Sequence, residues 1–281
     1  MTAIALSVAA ALSWGLADFG AGLKSRQVPV FVVITGMLIV GALGAAATLL
    51  LVEPSRLEME TALAALAAGV ATAVGLTALY AALAIGPMSV VAPISAGGVM
   101  IPVIAGLAGG DEPSVPQLAG IVLAIAGMLT VVALADDSGA AAARGRRANA
   151  VALAVVGAVG LGVYFLAADS VESGQSAWFL LGGQLAAAFP LAAVIAARRI
   201  PLPPRDDALQ IAALGAISFA AWVTSAAAVR AGELSLTSTI SSMYPVVTVL
   251  LAIAIVGESL RAAQIPALAA TFAGVALIAG G

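Results

Sequence analysis

Apolar runs of about twenty residues, separated by short polar or Gly/Pro-rich breaks, repeat along the whole chain. A run of that length lets an α-helix cross about 30 Å of hydrocarbon, whereas a membrane strand alternates in character over about ten residues. The pattern predicts ten spanning helices, at residues 3–22, 29–52, 61–85, 88–109, 116–135, 149–168, 177–197, 207–229, 236–256 and 263–280. One break is longer than the rest, 136–148 (DDSGAAAARGRRA), and it predicts a linker between a first unit, 1–135, and a second, 149–281. The third and fourth spans meet at Ile85-Gly86-Pro87, a boundary without charge that is set by chain-breaking residues.

Composition turns this pattern into a statement about solvent. Of 281 residues, 63% are hydrophobic and 9% are charged, and the mean hydropathy is +1.16. So little charge cannot cover a water-facing surface, so lipid must solvate most of it. In lipid every backbone N–H and C=O needs an internal partner, and the run lengths select helices over a barrel. An all-α integral membrane protein is expected. With no Cys and no His, disulfides, thiolate nucleophiles, His-based metal sites and His proton shuttles are excluded. No metal or cofactor is implied, and no basic patch points to nucleic acid. The start of the chain lacks the basic region of a signal peptide, so residues 3–22 read as a retained helix.

Nine of the eleven Lys and Arg (Lys24, Arg26, Arg144, Arg146, Arg147, Arg198, Arg199, Arg205 and Arg261) follow odd-numbered spans, and Arg56 and Arg230 follow even-numbered ones. The positive-inside rule then puts both termini outside the cytoplasm. A shift of 146 residues aligns the two units: Gly86-Pro-Met-Ser89 falls on Gly232-Glu-Leu-Ser235, Gly69 on Gly215, Ala62 on Ala208 and Glu112 on Glu258. Five helices per unit is an odd number, so the second unit enters the membrane from the opposite side. The expected architecture is therefore two inverted five-helix repeats.

The run from Tyr80 to Pro93 (YAALAIGPMSVVAP), followed by Glu112 and Gln117-Leu-Ala-Gly120, resembles the EamA-type repeat of the drug/metabolite transporter superfamily. The second unit carries its counterpart in Ala231-Gly-Glu-Leu-Ser235, Pro245, Gly257-Glu-Ser-Leu-Arg261 and Gln264, and Ser13-Trp14-Gly15 is similar to that family's opening. The resemblance spans nearly the whole chain and implies export of small metabolites, with the amino-acid exporter branch as one candidate. There are two departures. Thr35 and Gly36 stand where the family commonly has an Arg early in the second helix. The charge bias also opposes the cytoplasmic termini with which many members are drawn.

Candidate solute contacts are the polar and aromatic side chains that lipid would not tolerate. Asp18 is the one acidic residue set within a span rather than at its edge, and an intramembrane carboxylate by default faces a cavity. Ser7, Trp14 and Asp18 share one face of the first helix. A bland alternative pairs Asp18 with Lys24 or Arg26 across a turn. In the ninth span Ser235, Ser238, Thr239 and Ser242 form a hydroxyl stripe before Tyr244-Pro245, and hydroxyls serve packing as well as wet pathways. Ser218, Trp222 and Ser225 form a face on the eighth span, Thr77 and Tyr80 on the third, and Tyr164 lies mid-span in the sixth. Gln184, beside Gly182-Gly183, is a buried amide that suits helix contact and solute contact equally. Pro93 and Pro245 are hinge candidates because Pro interrupts helical hydrogen bonding. Glu112 and Glu258 read as capping residues for the last helix of each unit.

These features together point to a secondary transporter with no enzymatic site, working by alternating access. No Walker motif is present, so ATP hydrolysis is not expected. Deep aromatics, hydroxyls and one carboxylate suit an ammonium-bearing, partly apolar solute, with aromatic or neutral amino acids in front. Lipophilic cations, nucleosides and sugars are the alternatives. The partners are a small solute and the bilayer of the cell membrane; a monomer and a homodimer both fit the sequence.

Overall fold

The computed structural model describes residues 1–51, 56–109, 114–134, 141–172, 174–231, 237 and 240–280. Among them there are helices and no strand. The helices are α1 (Thr2–Lys24), α2 (Val30–Leu51), α3 (Met59–Ile85), α4 (Met88–Ala96), α5 (Met100–Gly109) and α6 (Val115–Leu134). In the second half they are α7 (Ala141–Asp169), α8 (Ser176–Ala197), α9 (Arg205–Ala231), α10 (Tyr244–Leu251) and α11 (Gln264–Gly280). A 3-10 turn, Gly97–Val99, joins α4 to α5, and a π turn, Ala252–Val256, prolongs α10 until Gly257 ends it in the left-handed region, φ 74°. That conformation favours glycine, as at many helix ends.

Among the described residues eight helical segments are long and apolar enough to cross a membrane, and Tyr244–Val256 and Gln264–Ala279 are apolar but shorter. Chain breakers set the expected boundaries: Gly86 ends α3 in an extended conformation and Pro87 precedes α4. Large apolar side chains such as Leu43, Leu50, Val122, Leu129 and Phe189 point outward, where lipid tails solvate them.

Hydrocarbon supplies no hydrophobic force between helices, so they cohere by close van der Waals approach at small residues. Gly75 and Gly160 bring α3 and α7 together, and a Cβ on Gly160 would lie 2.5 Å from Gly75 Cα. The same contacts give helix directions. Gly36 meets Ile211 and Gly44 meets Phe219, so α2 and α9 run parallel. Gly120 faces Gly274 and Gly127 faces Ala267, so α6 and α11 run antiparallel, as do α3 and α7.

A shift of 146 residues carries the ends of α2 onto those of α8, and the ends of α3 onto those of α9, residue for residue. The packing repeats with the same offset. A Cβ on Gly69 would lie 2.7 Å from the Gly183 carbonyl oxygen, and a Cβ on Gly215 3.0 Å from that of Met37.

Basic residues gather on one face. Arg26 donates to the Leu83 carbonyl at 3.3 Å, Arg261 to that of Leu134 at 3.3 Å, and Arg147 to that of Val132. Each cation thus meets carbonyls at a helix C-terminus, the negative end of the dipole.

Candidate functional site

Trp14 and Asp18, four residues apart, lie one above the other on a single face of α1. Asp18 stands about 9 Å along the helix axis from the basic end of α1. Its carboxylate accepts a hydrogen bond from the Tyr80 hydroxyl of α3 at 3.0 Å. Trp14 meets Tyr244 of α10 edge-on, with ring centroids 6.1 Å apart and planes at 65°. Tyr80 is buried, while Trp14, Asp18 and Tyr244 keep partial exposure.

Gly15 makes this junction possible. A Cβ there would lie 2.4 Å from Val247 Cβ and 2.6 Å from the Tyr244 carbonyl oxygen, so a larger residue would push α10 away. The Thr248 hydroxyl donates to the Gly15 carbonyl at 3.2 Å and ties the two helices. The result is one carboxylate flanked by three aromatic side chains from α1, α3 and α10. Such a set attracts an organic ammonium group, through charge at Asp18 and through the ring quadrupoles.

The bland alternative for Asp18 is not what the structure contains. Lys24 forms an ion pair with Asp207 at 2.5 Å and donates to Gln210 at 2.7 Å, both on α9. Arg26 is engaged with Leu83. The nearest cations in sequence therefore have other partners, and Asp18 is left to a neutral phenol.

The remaining sequence candidates divide. Thr77, half-buried one turn from Tyr80, returns its hydroxyl to the Ala73 carbonyl at 2.6 Å. Ser218 is half-buried one turn before Trp222, and Trp222 stacks on Phe219 at 5.9 Å and 24°. Tyr164 packs against Phe165 and Phe179, at 5.7 and 5.6 Å, in a separate cluster with Ala65 and Ala68. Gln184 packs on α2, where a Cβ on Gly41 would lie 2.4 Å from its Nε2; among the described residues its Oε1 has no partner. Ser7 is buried and bonds the Ala3 carbonyl at 3.0 Å. Ser242 is half-buried in the turn before α10. Ser238 and Thr239, with Ser235 and Glu112, lie outside the described residues.

Pro93 lies inside α4, as a hinge would require. Pro245 does not interrupt a helix: it occupies the first turn of α10, where a missing N–H leaves nothing unpaired. Glu258 caps a helix, but not the one that follows it. Its two oxygens accept from the backbone N–H of Met88 at 2.8 Å and of Ser89 at 2.9 Å, at the start of α4.

From the sequence Tyr244 ranks as a weaker solute contact than the deeper aromatics, and Glu258 is expected on the helix that follows it rather than at the start of α4. Tyr244 carried a signal, being the one aromatic residue of its span, beside Pro245; the partner of Glu258 carried none. A cleft of about 320 Å³ between α3 and α8, lined by Leu57, Ala62, Leu66, Trp178 and Leu185, is apolar and contains no candidate solute contact. Leu66 and Leu185 open outward, so it is a lipid-facing groove rather than a solute site. Among the described residues no group of acidic side chains is arranged to hold a metal ion.

The chain matches the model of the EamA-like transporter family over residues 1–133 and again over residues 148–280. A crystal structure of another protein is 20% identical, covers 98% of this chain and 97% of its own, and superposes with a TM-score of 0.66. At that identity the likeness speaks for the fold alone. No curated protein matches the sequence.

Proposed function

We propose that this chain, which belongs to the EamA-like transporter family, is a secondary carrier that exports amino acids with aromatic or neutral side chains. Family membership makes it a multi-pass membrane transporter of small solutes and not an enzyme. The observation that carries the finer reading is the Asp18 carboxylate flanked by the Trp14–Tyr244 pair and Tyr80. A carboxylate in the membrane binds the amino group, and half-exposed rings beside it accept an apolar or aromatic side chain.

The carrier crosses the bilayer ten times, in two inverted repeats of five helices over 1–135 and 149–281, joined by 136–148. Support comes from the double match to the family model, from the shift that superposes the ends of α2 with α8 and α3 with α9, and from the directions of contacting helices. α3 opposes α7 and α6 opposes α11, as alternate crossings require. Two inverted units around one site form an alternating-access device. The basic face is cytoplasmic by the charge bias, which puts both termini on the other side of the cell membrane.

Reconstituted protein tested with labelled amino acids, nucleosides and quaternary amines decides among solute classes. We expect phenylalanine-like flux above empty vesicles, and its loss in Asp18→Asn. Flux of quaternary amines alone would replace amino acids with lipophilic cations. Nucleoside or sugar flux indifferent to Asp18→Asn would overturn the site.

A further inference from the structure

The helices do not group by sequence half. α3, α4 and α7 pack together, and α1 packs with α9 and α10. Each group mixes both halves, and the 146-residue shift carries α3 onto α9 and α1 onto α7; it carries α4 onto residues 234–242, most of which lie outside the described residues. The interface between the groups is uneven. α1 packs against α3, but their counterparts, α7 and α9, form no comparable contact among the described residues.

Several polar links between the groups lie towards the basic face. Tyr80 donates to Asp18 at 3.0 Å. Glu258, just past α10, holds the first turn of α4 through Met88 and Ser89 at 2.8 and 2.9 Å. Arg26 reaches the Leu83 carbonyl at 3.3 Å. Gly22 brings α1 against α3 at the same level, where a Cβ would lie 2.7 Å from Leu83 Cβ. The shift replaces Asp18 by Tyr164 and Tyr80 by Ala226, so the opposite face has no carboxylate–phenol pair at the matching place. The Asp18–Tyr80 pair is therefore one-sided.

We propose that Tyr80 is a release switch: closure of the basic face delivers its hydroxyl to Asp18, displaces the solute's ammonium group, and is held shut by Glu258 on α4. The proposal rests on the carrier reading above. Asp18 serves two partners in turn, an ammonium donor while the basic face is open and the Tyr80 donor once it closes. An ammonium left without its carboxylate has no counter-charge in the membrane, so it departs towards the opposite face. The energy of the closing contact is thereby coupled to release, as a conformational equilibrium requires of any ligand that prefers one state.

The chain has no cysteine, so single thiols report accessibility without background. Ala92→Cys reports the basic side, because Ala92 is buried on α4 one turn behind the Glu258 contact. Ser225→Cys, half-buried at the other end of α9, reports the opposite side. Removing a hydrogen bond to a charged group shifts an equilibrium by about tenfold or more. Tyr80→Phe and Glu258→Gln should each make Ala92→Cys label about tenfold faster with a hydrophilic maleimide, while Ser225→Cys labels more slowly. Tyr80→Phe should also tighten benzylamine binding, having removed its competitor. Unchanged Ala92→Cys labelling in both variants overturns the lock, and faster labelling at both faces means a loosened fold and overturns it too. Tyr80→Phe keeps the ring and decides the matter if Glu258→Gln does not fold. If both variants move the reporters as expected while benzylamine binds in no background, the ammonium reading fails, the displacement step falls with it, and the lock stands.

Discussion

Replacing Gly160 with Ala tests whether helix contact in this protein depends on backbone approach. The new Cβ would lie 2.5 Å from Gly75 Cα, 2.8 Å from the Ala71 carbonyl oxygen and 3.0 Å from Gly75 N. Ordinary carbon contacts are about 3.5–4.0 Å, so α3 and α7 must part by about 1 Å. These neighbours are backbone and cannot rotate aside. Overpacking of this kind costs about 1–3 kcal/mol, and lipid offers no hydrophobic force to close the gap again. Alanine also raises helix propensity by about 1 kcal/mol over glycine, which masks part of the cost. Gly145→Ala corrects for that gain, because Gly145 is on the same helix with nothing within 4 Å of a Cβ. The difference between the two variants should be about 2 kcal/mol, read from equilibrium unfolding in micelles with rising SDS and circular dichroism. A difference below about 0.5 kcal/mol would refute the close packing of α3 and α7.

Lys24→Met strips Asp207 and Gln210 of a cation at 2.5 and 2.7 Å. It should cost about 2 kcal/mol in the same titration, less than a fully buried pair because Asp207 keeps 29% exposure. Adding Asp207→Asn should restore part of that loss, and no restoration would rule out the charge pair as its cause. Thr248→Val removes the 3.2 Å tie to Gly15 without changing shape; about 1 kcal/mol should be lost with solute flux intact, and abolished flux would give Thr248 a direct role. A reporter fused after Gly281 should give no cytoplasmic signal, and a cytoplasmic signal would reverse the orientation derived from Lys and Arg.

Asp18 was legible from sequence because a lone carboxylate in an apolar run is costly wherever it lies, so its position alone marks it. Its partner was not. Lys24 and Arg26 are near in sequence, yet α9 brings Asp207 and Gln210 to Lys24, and Tyr80, sixty-two residues from Asp18, takes the carboxylate. Tyr164 and Gln184 looked equally apt by depth. Depth does not tell which side of a helix faces a neighbour, and both side chains pack against other helices, at Phe179 and at Gly41. Glu258 shows the same limit, since a carboxylate near a helix start is attracted by the dipole whichever helix supplies it.

The sequence by itself determined the solvent, the helical class and the spacing of the repeat. Those follow from local properties: the length of each apolar run, the chain breakers between runs, and the 146-residue register that α2 and α8 reproduce end for end. Which helices meet, and at which face, was decided by tertiary structure alone. In lipid all large apolar side chains are equally welcome outside, so hydrophobicity no longer distinguishes an inner face from an outer one. That choice passes to backbone contact at small residues such as Gly15, Gly75 and Gly160, and to a few long-range polar pairs. Asp18 with Tyr80 is one such pair.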